Sequence, residues 1–269
     1  MSRVYAPVRR VLLVAAVVLL PSAVAAQTDY YNTDKGRPFR TEDAYPVERR
    51  AFELQAAPLR IERGAQGAYR WTLEPEIALG ILPRTHIEAG IPFSIVDAGG
   101  TTSSGVDALH FSLLHNLNAE TTTVPALAIG VAAALPTGRD AGAGAQLTVK
   151  GIATRTLTWA RVHVNGEFSP GDEAVDDAHP YERWAASLAV DRAFPLESLL
   201  IGAEVVASQL AQDGAETDYA VAAGLRYQLS PRWAMDAGIG RRWTGERSWS
   251  ATFGAAYAFG LFWRERVRP

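Results

Sequence analysis

The 269-residue sequence contains no cysteine, and of its 26 basic residues only Lys35 and Lys150 are lysines. The missing thiol excludes a disulfide framework, thiol catalysis and a Cys-ligated zinc or iron–sulfur centre. A formal charge of −3 leaves no basic excess of the kind that marks a nucleic-acid partner. After the first 26 residues there is no apolar run long enough for a membrane helix, which needs about 20 residues. What the chain does have is 23 glycines and nine tyrosines, which lean toward strands and turns.

The first 26 residues form a targeting segment. Arg3, Arg9 and Arg10 precede an unbroken apolar run over 11–20. Pro21 and Ser22 break it, and Ala23-Val24-Ala25-Ala26 supplies the small residues a signal peptidase reads. A secretory signal peptide over 1–26 is expected, cleaved near Ala26. The apolar run is too short to anchor the chain as a spanning helix. An exported chain of this kind is periplasmic, secreted, or an outer-membrane barrel of a Gram-negative bacterium.

From Phe52 onward the dominant period is two, the period of a strand with one apolar face. Over 249–263 one face reads Trp249, Ala251, Phe253, Ala255, Tyr257, Phe259, Leu261 and Trp263; the other, up to Gly260, is Ser, Thr, Ala and Gly. Over 233–243 the apolar face carries Trp233, Met235, Ala237, Ile239 and Trp243, opposite Asp236, Gly238, Gly240 and Arg242. A helix would scatter these sets around its axis. The pattern predicts twelve strands near 51–62, 68–80, 84–96, 105–117, 122–135, 145–156, 158–168, 181–193, 198–210, 216–229, 231–243 and 247–263. Strands of ten or more residues suit a bilayer crossing, which takes about 9–11 residues of tilted strand. The expected fold is therefore an all-β, transmembrane, antiparallel up-and-down barrel over 49–263, with a tail at 264–269.

Two checks support this reading. Connections at 97–104, 136–144 and 169–180 read as long outer loops, whereas 82–83, 118–121, 194–197 and 230–231 read as short inner turns, the asymmetry of outer-membrane barrels. Aromatics gather at the strand ends on the lipid-facing parity. Trp71, Trp184, Tyr219, Trp243 and Trp249 fall at one end, and Trp159, Tyr227, Trp233 and Trp263 at the other, as two interfacial girdles. The surrounding lipid and, during biogenesis, the barrel-assembly machinery are the expected partners.

Residues 44–52, Leu73-Glu74-Pro75-Glu76, Gly80-Ile81-Leu82-Pro83-Arg84-Thr85, Leu135-Pro136-Thr137-Gly138, Lys150-Gly151 and Val162-His163-Val164-Asn165 together are familiar. The sequence resembles the outer-membrane proteins of the meta-pathway of phenol degradation family, whose members are labelled transporters. The resemblance spans most of the mature chain. It implies a porin-like β-barrel and uptake of small, aromatic or hydrophobic solutes.

The inward parity collects the candidate site. Glu74, Glu76, His86, Glu88, Lys150, Arg161, His163, Asn165, Glu167, Glu204, Arg226 and Asp236 are all expected to face the lumen. They form either a mutually paired polar filling or a solute path. Unpaired charge in a narrow lumen is costly, and the strands beside Arg161 offer Lys150 on one side and Asp191 on the other; Arg161 is expected to meet at least one inward acid, with Glu74, Glu76, Glu88 and Glu204 the candidates. His86 and Glu88 alone do not make a metal site, which needs three or more converging ligands, and no cofactor motif is present. A barrel lipid hydrolase would need Ser, His and an acid together near the membrane surface; Ser112 beside His110 is the nearest approach. Glycines on the later strands leave room along one wall, for a passage or for a folded-in N-terminal segment. Residues 27–48 are polar and aperiodic yet hold Tyr30, Tyr31, Phe39 and Tyr45, and so read as a periplasmic tail or as a lumen plug. The function expected is that of a transporter or channel and not an enzyme, with a non-conducting structural barrel or a lipid hydrolase as the alternatives.

Overall fold

A computed structural model describes residues 33, 37–56, 59–64, 67–137, 144–171, 181–212, 214–244 and 247–260. Every regular element among them is a strand. Twelve strands cross the sheet: β1 (Ala51–Gln55 and Leu59–Gly64), β2 (Tyr69–Leu73 and Glu76–Leu82), β3 (Thr85–Gly90 and Phe93–Ala98), β4 (Thr101–Val106 and Leu109–Asn118), β5 (Ala126–Leu135), β6 (Gln146–Thr156), β7 (Arg161–Phe168), β8 (Glu182–Ala193), β9 (Leu199–Leu210), β10 (Thr217–Ser230), β11 (Trp233–Arg242) and β12 (Ser248–Gly260). Each pairs antiparallel with its neighbours in sequence. β12 pairs with both halves of β1, so the sheet closes. Closure leaves no edge, which lipid could not hydrogen-bond.

The wall is inside out relative to a soluble protein. On β12 Phe253 is 52% exposed while Ala256 on the opposite face is 0%. On β11 Ile239 is 64% exposed and Ala234 is 0%. Large apolar side chains face lipid, and small or polar ones face the interior. Trp71, Trp159, Tyr219, Tyr227, Trp233, Trp243 and Trp249 are exposed at the strand ends. Trp184 is half-buried, its Nε1 donating to Gln209 Oε1 at 2.9 Å. Trp263 lies outside the described residues. At the rim where β1 begins, called here the near rim, Trp233, Tyr257, Phe259 and Phe52 form a continuous aromatic contact across the closure seam, with centroids 4.8, 6.0 and 5.2 Å apart.

Some boundaries differ from expectation. Residues 97–104 are not a long loop. β3 and β4 continue to Ala98 and Thr101, which pair directly, and Gly99 and Gly100 turn the chain with φ of 60° and 82°. Two consecutive positive φ values are what a tight hairpin turn demands, and glycine adopts them without a Cβ clash. Residues 122–125 are a turn, not strand; the Thr121 amide donates to the Val124 carbonyl at 2.9 Å, and Pro125 follows. β2 and β3 break where Pro75 and Pro92 lack an amide hydrogen. Bonding continues across the breaks, from the Ile91 amide to the Pro75 carbonyl and from the Asp107 amide to the Pro92 carbonyl, at 3.1 and 3.0 Å.

Candidate functional site in the barrel lumen

Residues 37–48 run through the barrel interior, touching inward side chains of most of the wall. The chain comes in at the near rim, where the Arg50 amide donates to the Gly80 carbonyl at 2.7 Å. A Cβ on Gly80 would stand 1.9 Å from the Glu48 carbonyl oxygen, so only glycine admits the segment there. The Val47 amide donates to His86 Nδ1 at 3.1 Å, and the Tyr45 hydroxyl donates to Glu120 Oε2 at 3.2 Å. Burial and the negative charge of Glu120 push the Tyr45 phenol up to about 12, so it stays a donor.

Deeper in, polar wall residues substitute for the strand partners that an irregular backbone lacks. Asn116 Nδ2 donates to the Ala44 carbonyl at 2.8 Å, and the Ala44 amide donates to Thr154 Oγ1 at 2.9 Å. Asn165 clamps Glu42, accepting its amide at 2.7 Å and donating to its carbonyl at 2.8 Å. The Glu42 carboxylate meets Lys150 Nζ with both oxygens at 2.6 Å. Glu204 gathers the next residues: it accepts from the Arg40 amide at 2.9 Å, the Thr41 amide at 2.9 Å and the Thr41 hydroxyl at 2.7 Å. The Arg40 guanidinium reaches Glu167 at 3.0 Å and Glu182 at 2.9 Å.

Beyond Arg40 the segment rests on a wall without side chains. A Cβ on Gly224 would lie 2.6 Å from Pro38 Cβ, one on Gly238 would lie 3.0 Å from the Pro38 carbonyl oxygen, and one on Gly202 would lie 3.0 Å from the Phe39 ring. Of the two readings given to these glycines, a seat for the N-terminal segment describes this geometry. Arg37 lies in a cluster of buried charges, with Glu53 at 3.2 Å and Asp236 at 3.7 Å, while Arg226 stands 3.7 Å from Glu53.

Arg161 forms a two-point pair with Asp191, Nε to Oδ1 and Nη2 to Oδ2, both at 2.9 Å. Asp43 lies 3.9 Å away. These acids stand in place of the four expected, Glu74, Glu76, Glu88 and Glu204. The reason is register. Asp191 on β8 is directly opposite Arg161 on β7, and cross-strand neighbours meet before groups across the lumen do. His163 Nε2 is 3.1 Å from Asp191 Oδ2, and its Nδ1 is 3.0 Å from Thr154 Oγ1. The Asp191 carboxylate can only accept, which assigns a proton to His163 Nε2, and the Thr154 hydroxyl that accepts from Ala44 can donate to Nδ1.

Lys150, Asn165, Glu167, Glu204, Arg226, Asp236, His86, His163 and Arg161 thus converge on the segment or its immediate supports. Among the described residues, Glu74 and Glu76 make their contacts elsewhere on the wall. Glu74 contacts His110 on an exposed part of the wall, and Glu76 packs over Gly90. Glu88 accepts from Ser112 Oγ at 2.7 Å and lies 3.6 Å from His86. Among the described residues no three His, Asp or Glu side chains gather as a metal site. Arg37, Arg40, Thr41 and Glu42 were absent from the sequence-derived candidates because their segment has no period. Its acid and arginine content, facing a glycine-rich wall, is the signal that could have found them.

The family model described as "Putative MetA-pathway of phenol degradation" matches residues 63–259. The chain belongs to this family. The matched region runs from the end of β1 to β12, and the docked segment precedes it. No curated protein matches the sequence. Among solved structures, the COG4313 outer membrane channel from Pseudomonas putida F1 has a similar fold, with a TM-score of 0.57 at 10% identity over 84% of this chain and 100% of that one. The KdgM porin reaches 0.49 at 13% identity, over 77% and 99% of the two chains. Outer membrane phospholipase A from Escherichia coli reaches 0.47 at 12% identity, over 89% and 100%.

Proposed function

We propose that this phenol-degradation family member is an outer-membrane channel for small organic solutes, aromatic acids and phenols among them, drawn here in a closed state. The observation that carries the reading is the position of 37–48. The segment lies across the lumen and leaves about 100 Å³ beside it, against β9–β12. Small residues, Ala220, Ala222, Gly240 and Ser250, line that space together with Arg40, Arg60 and Arg242 and the acids Glu204 and Asp218. Movement of the segment along this smooth wall widens a path without disturbing the barrel's hydrogen bonds. Arginine presents both positive charge and a flat face, which suits an aromatic anion. On this reading the near rim is periplasmic, residues 1–26 are removed on export, and the aromatic last strand serves the assembly machinery.

The chemistry of the lumen favours a channel over a lipid hydrolase. The Ser112 hydroxyl is bonded to Glu88, and the His110 ring contacts Glu74. A non-conducting barrel is the second reading, favoured by the number of bonds that hold 37–48. Liposome swelling separates the two. Vesicles carrying the full-length protein are expected to admit benzoate and phenol faster than a disaccharide of equal osmolarity. Vesicles that stay sealed to every solute, with no current in planar bilayers at any voltage, would establish the non-conducting reading instead.

A further inference from the structure

At the rim opposite the near rim, four side chains stand in one lipid-facing row on four adjacent strands. Tyr69 is opposite Arg63, Arg63 is opposite Trp249, and Trp249 is opposite Arg241. The Arg63 guanidinium carbon lies 5.5 Å from the centre of the Tyr69 ring, and that of Arg241 lies 4.9 Å from Trp249. Asp97 follows Tyr69 in the row. Two residues deeper on the same face the wall is apolar: Ile61, Ala251 and Ile239. The two cations therefore sit at the border of the apolar band, one row above hydrocarbon.

Arginine on the lipid face is unfavourable at the membrane centre and nearly neutral at the interface. Two of them in one row call for an anion. Among the described residues, no carboxylate lies within ion-pair distance of Arg63, Arg241 or Arg247, and the acid nearest Arg242 is Asp218 at 3.7 Å. These four arginines line a cleft of about 250 Å³ together with Trp249 and the glycines of the β1–β2 turn. A Cβ added to Gly67 would meet nothing within 4 Å.

We propose that this row binds the phosphate of a phosphorylated lipid headgroup in the surrounding leaflet. Guanidinium groups take phosphate oxygens in parallel two-point bonds. The Tyr69 and Trp249 rings hold the guanidinium planes upright, and the apolar rows beneath take the acyl chains. Juxtamembrane basic clusters favour anionic headgroups through the same attraction.

The test titrates the full-length protein in detergent with diphosphorylated lipid A, with the same lipid after phosphatase treatment, and with inorganic phosphate. Binding is read by native mass spectrometry and by tryptophan fluorescence. Arg63→Gln with Arg241→Gln is expected to weaken the diphosphorylated lipid by at least about tenfold and to leave the dephosphorylated lipid unchanged. Arg63→Lys with Arg241→Lys, which keeps the charge but not the two-point geometry, should fall between. Equal binding of the two lipid forms to the native protein would overturn the proposal, as would a double variant that binds like the native chain. Inorganic phosphate binding as tightly as the lipid would overturn the lipid assignment. Should the glutamine pair fail to assemble, Arg241→Gln alone carries the test: a several-fold loss for the phosphorylated lipid supports the row, and no loss refutes it.

Discussion

Replacing Glu53 with alanine is expected to cost the barrel about 3–5 kcal/mol, the typical loss when one member of a buried ion cluster is removed. Glu53 stands between Arg37 at 3.2 Å and Arg226 at 3.7 Å, and the arginine side chains are 0% exposed. Without it, Asp236 at 3.7 Å is the acid left beside Arg37 among the described residues. The desolvation of both cations persists while part of the compensating charge is gone. Arg37 belongs to the N-terminal segment, so part of the loss would appear as release of that segment. A control fixes the scale. Arg60 and Glu62 lie 3.9 Å apart with side chains about one-third exposed, at 33% and 30%. Glu62→Ala should cost only about 0–1 kcal/mol, as exposed pairs do. Urea unfolding in lipid vesicles, followed by tryptophan fluorescence, measures both. Equal losses for the two variants would mean that water reaches the Arg37–Glu53–Arg226 cluster.

The second large effect is expected at Glu204. Its carboxylate accepts the amides of Arg40 and Thr41 and the Thr41 hydroxyl, all between 2.7 and 3.0 Å. Those amides have no strand to pair with, so Glu204 alone satisfies them. Hydrogen bonds to a charged group are worth roughly 1.5–3 kcal/mol each. Glu204→Ala should therefore raise amide exchange over 39–44 by about ten- to a hundredfold or more, one to two powers of ten for each such bond lost. Glu204→Gln, which keeps one acceptor oxygen, should lie between. Hydrogen–deuterium exchange by mass spectrometry reads this peptide directly. Exchange unchanged from the native protein would mean that the remaining contacts hold the segment without Glu204.

The wall was legible in the sequence because a barrel strand repeats every two residues. Trp249, Ala251, Phe253, Ala255 and Tyr257 put lipid and lumen on opposite faces without reference to any partner. Register with neighbours was not legible: parity puts Asp191 inward on the strand next to Arg161 and calls for an inward acid there, but it does not show that the two stand directly opposite, so the glutamates named as candidates are not the partners among the described contacts. The 97–104 loop was misjudged for a different reason. Its serines and threonines look like loop, yet Gly99-Gly100 can reverse the chain in two residues, and the remaining positions pair. The segment 37–48 was the hardest part. It has no periodicity, and its bonds run to side chains such as Asn165, Thr154 and Glu204 more than a hundred residues away. Only the combination of a charged, aromatic leader with a glycine-lined wall hinted at docking.

The most direct test of a segment that closes the lumen is a reversible lock. The Thr41 and Ser187 hydroxyl oxygens are 2.9 Å apart, one on the segment and one on β8. The chain has no cysteine, so Thr41→Cys with Ser187→Cys introduces a single possible disulfide. Conductance of this variant in planar bilayers is measured oxidised, then after reduction on the same membrane. The expected result is silence in the oxidised state and discrete channel openings once the bond is reduced. The same trace before and after reduction, whether conducting or silent, would contradict a gate formed by residues 37–48.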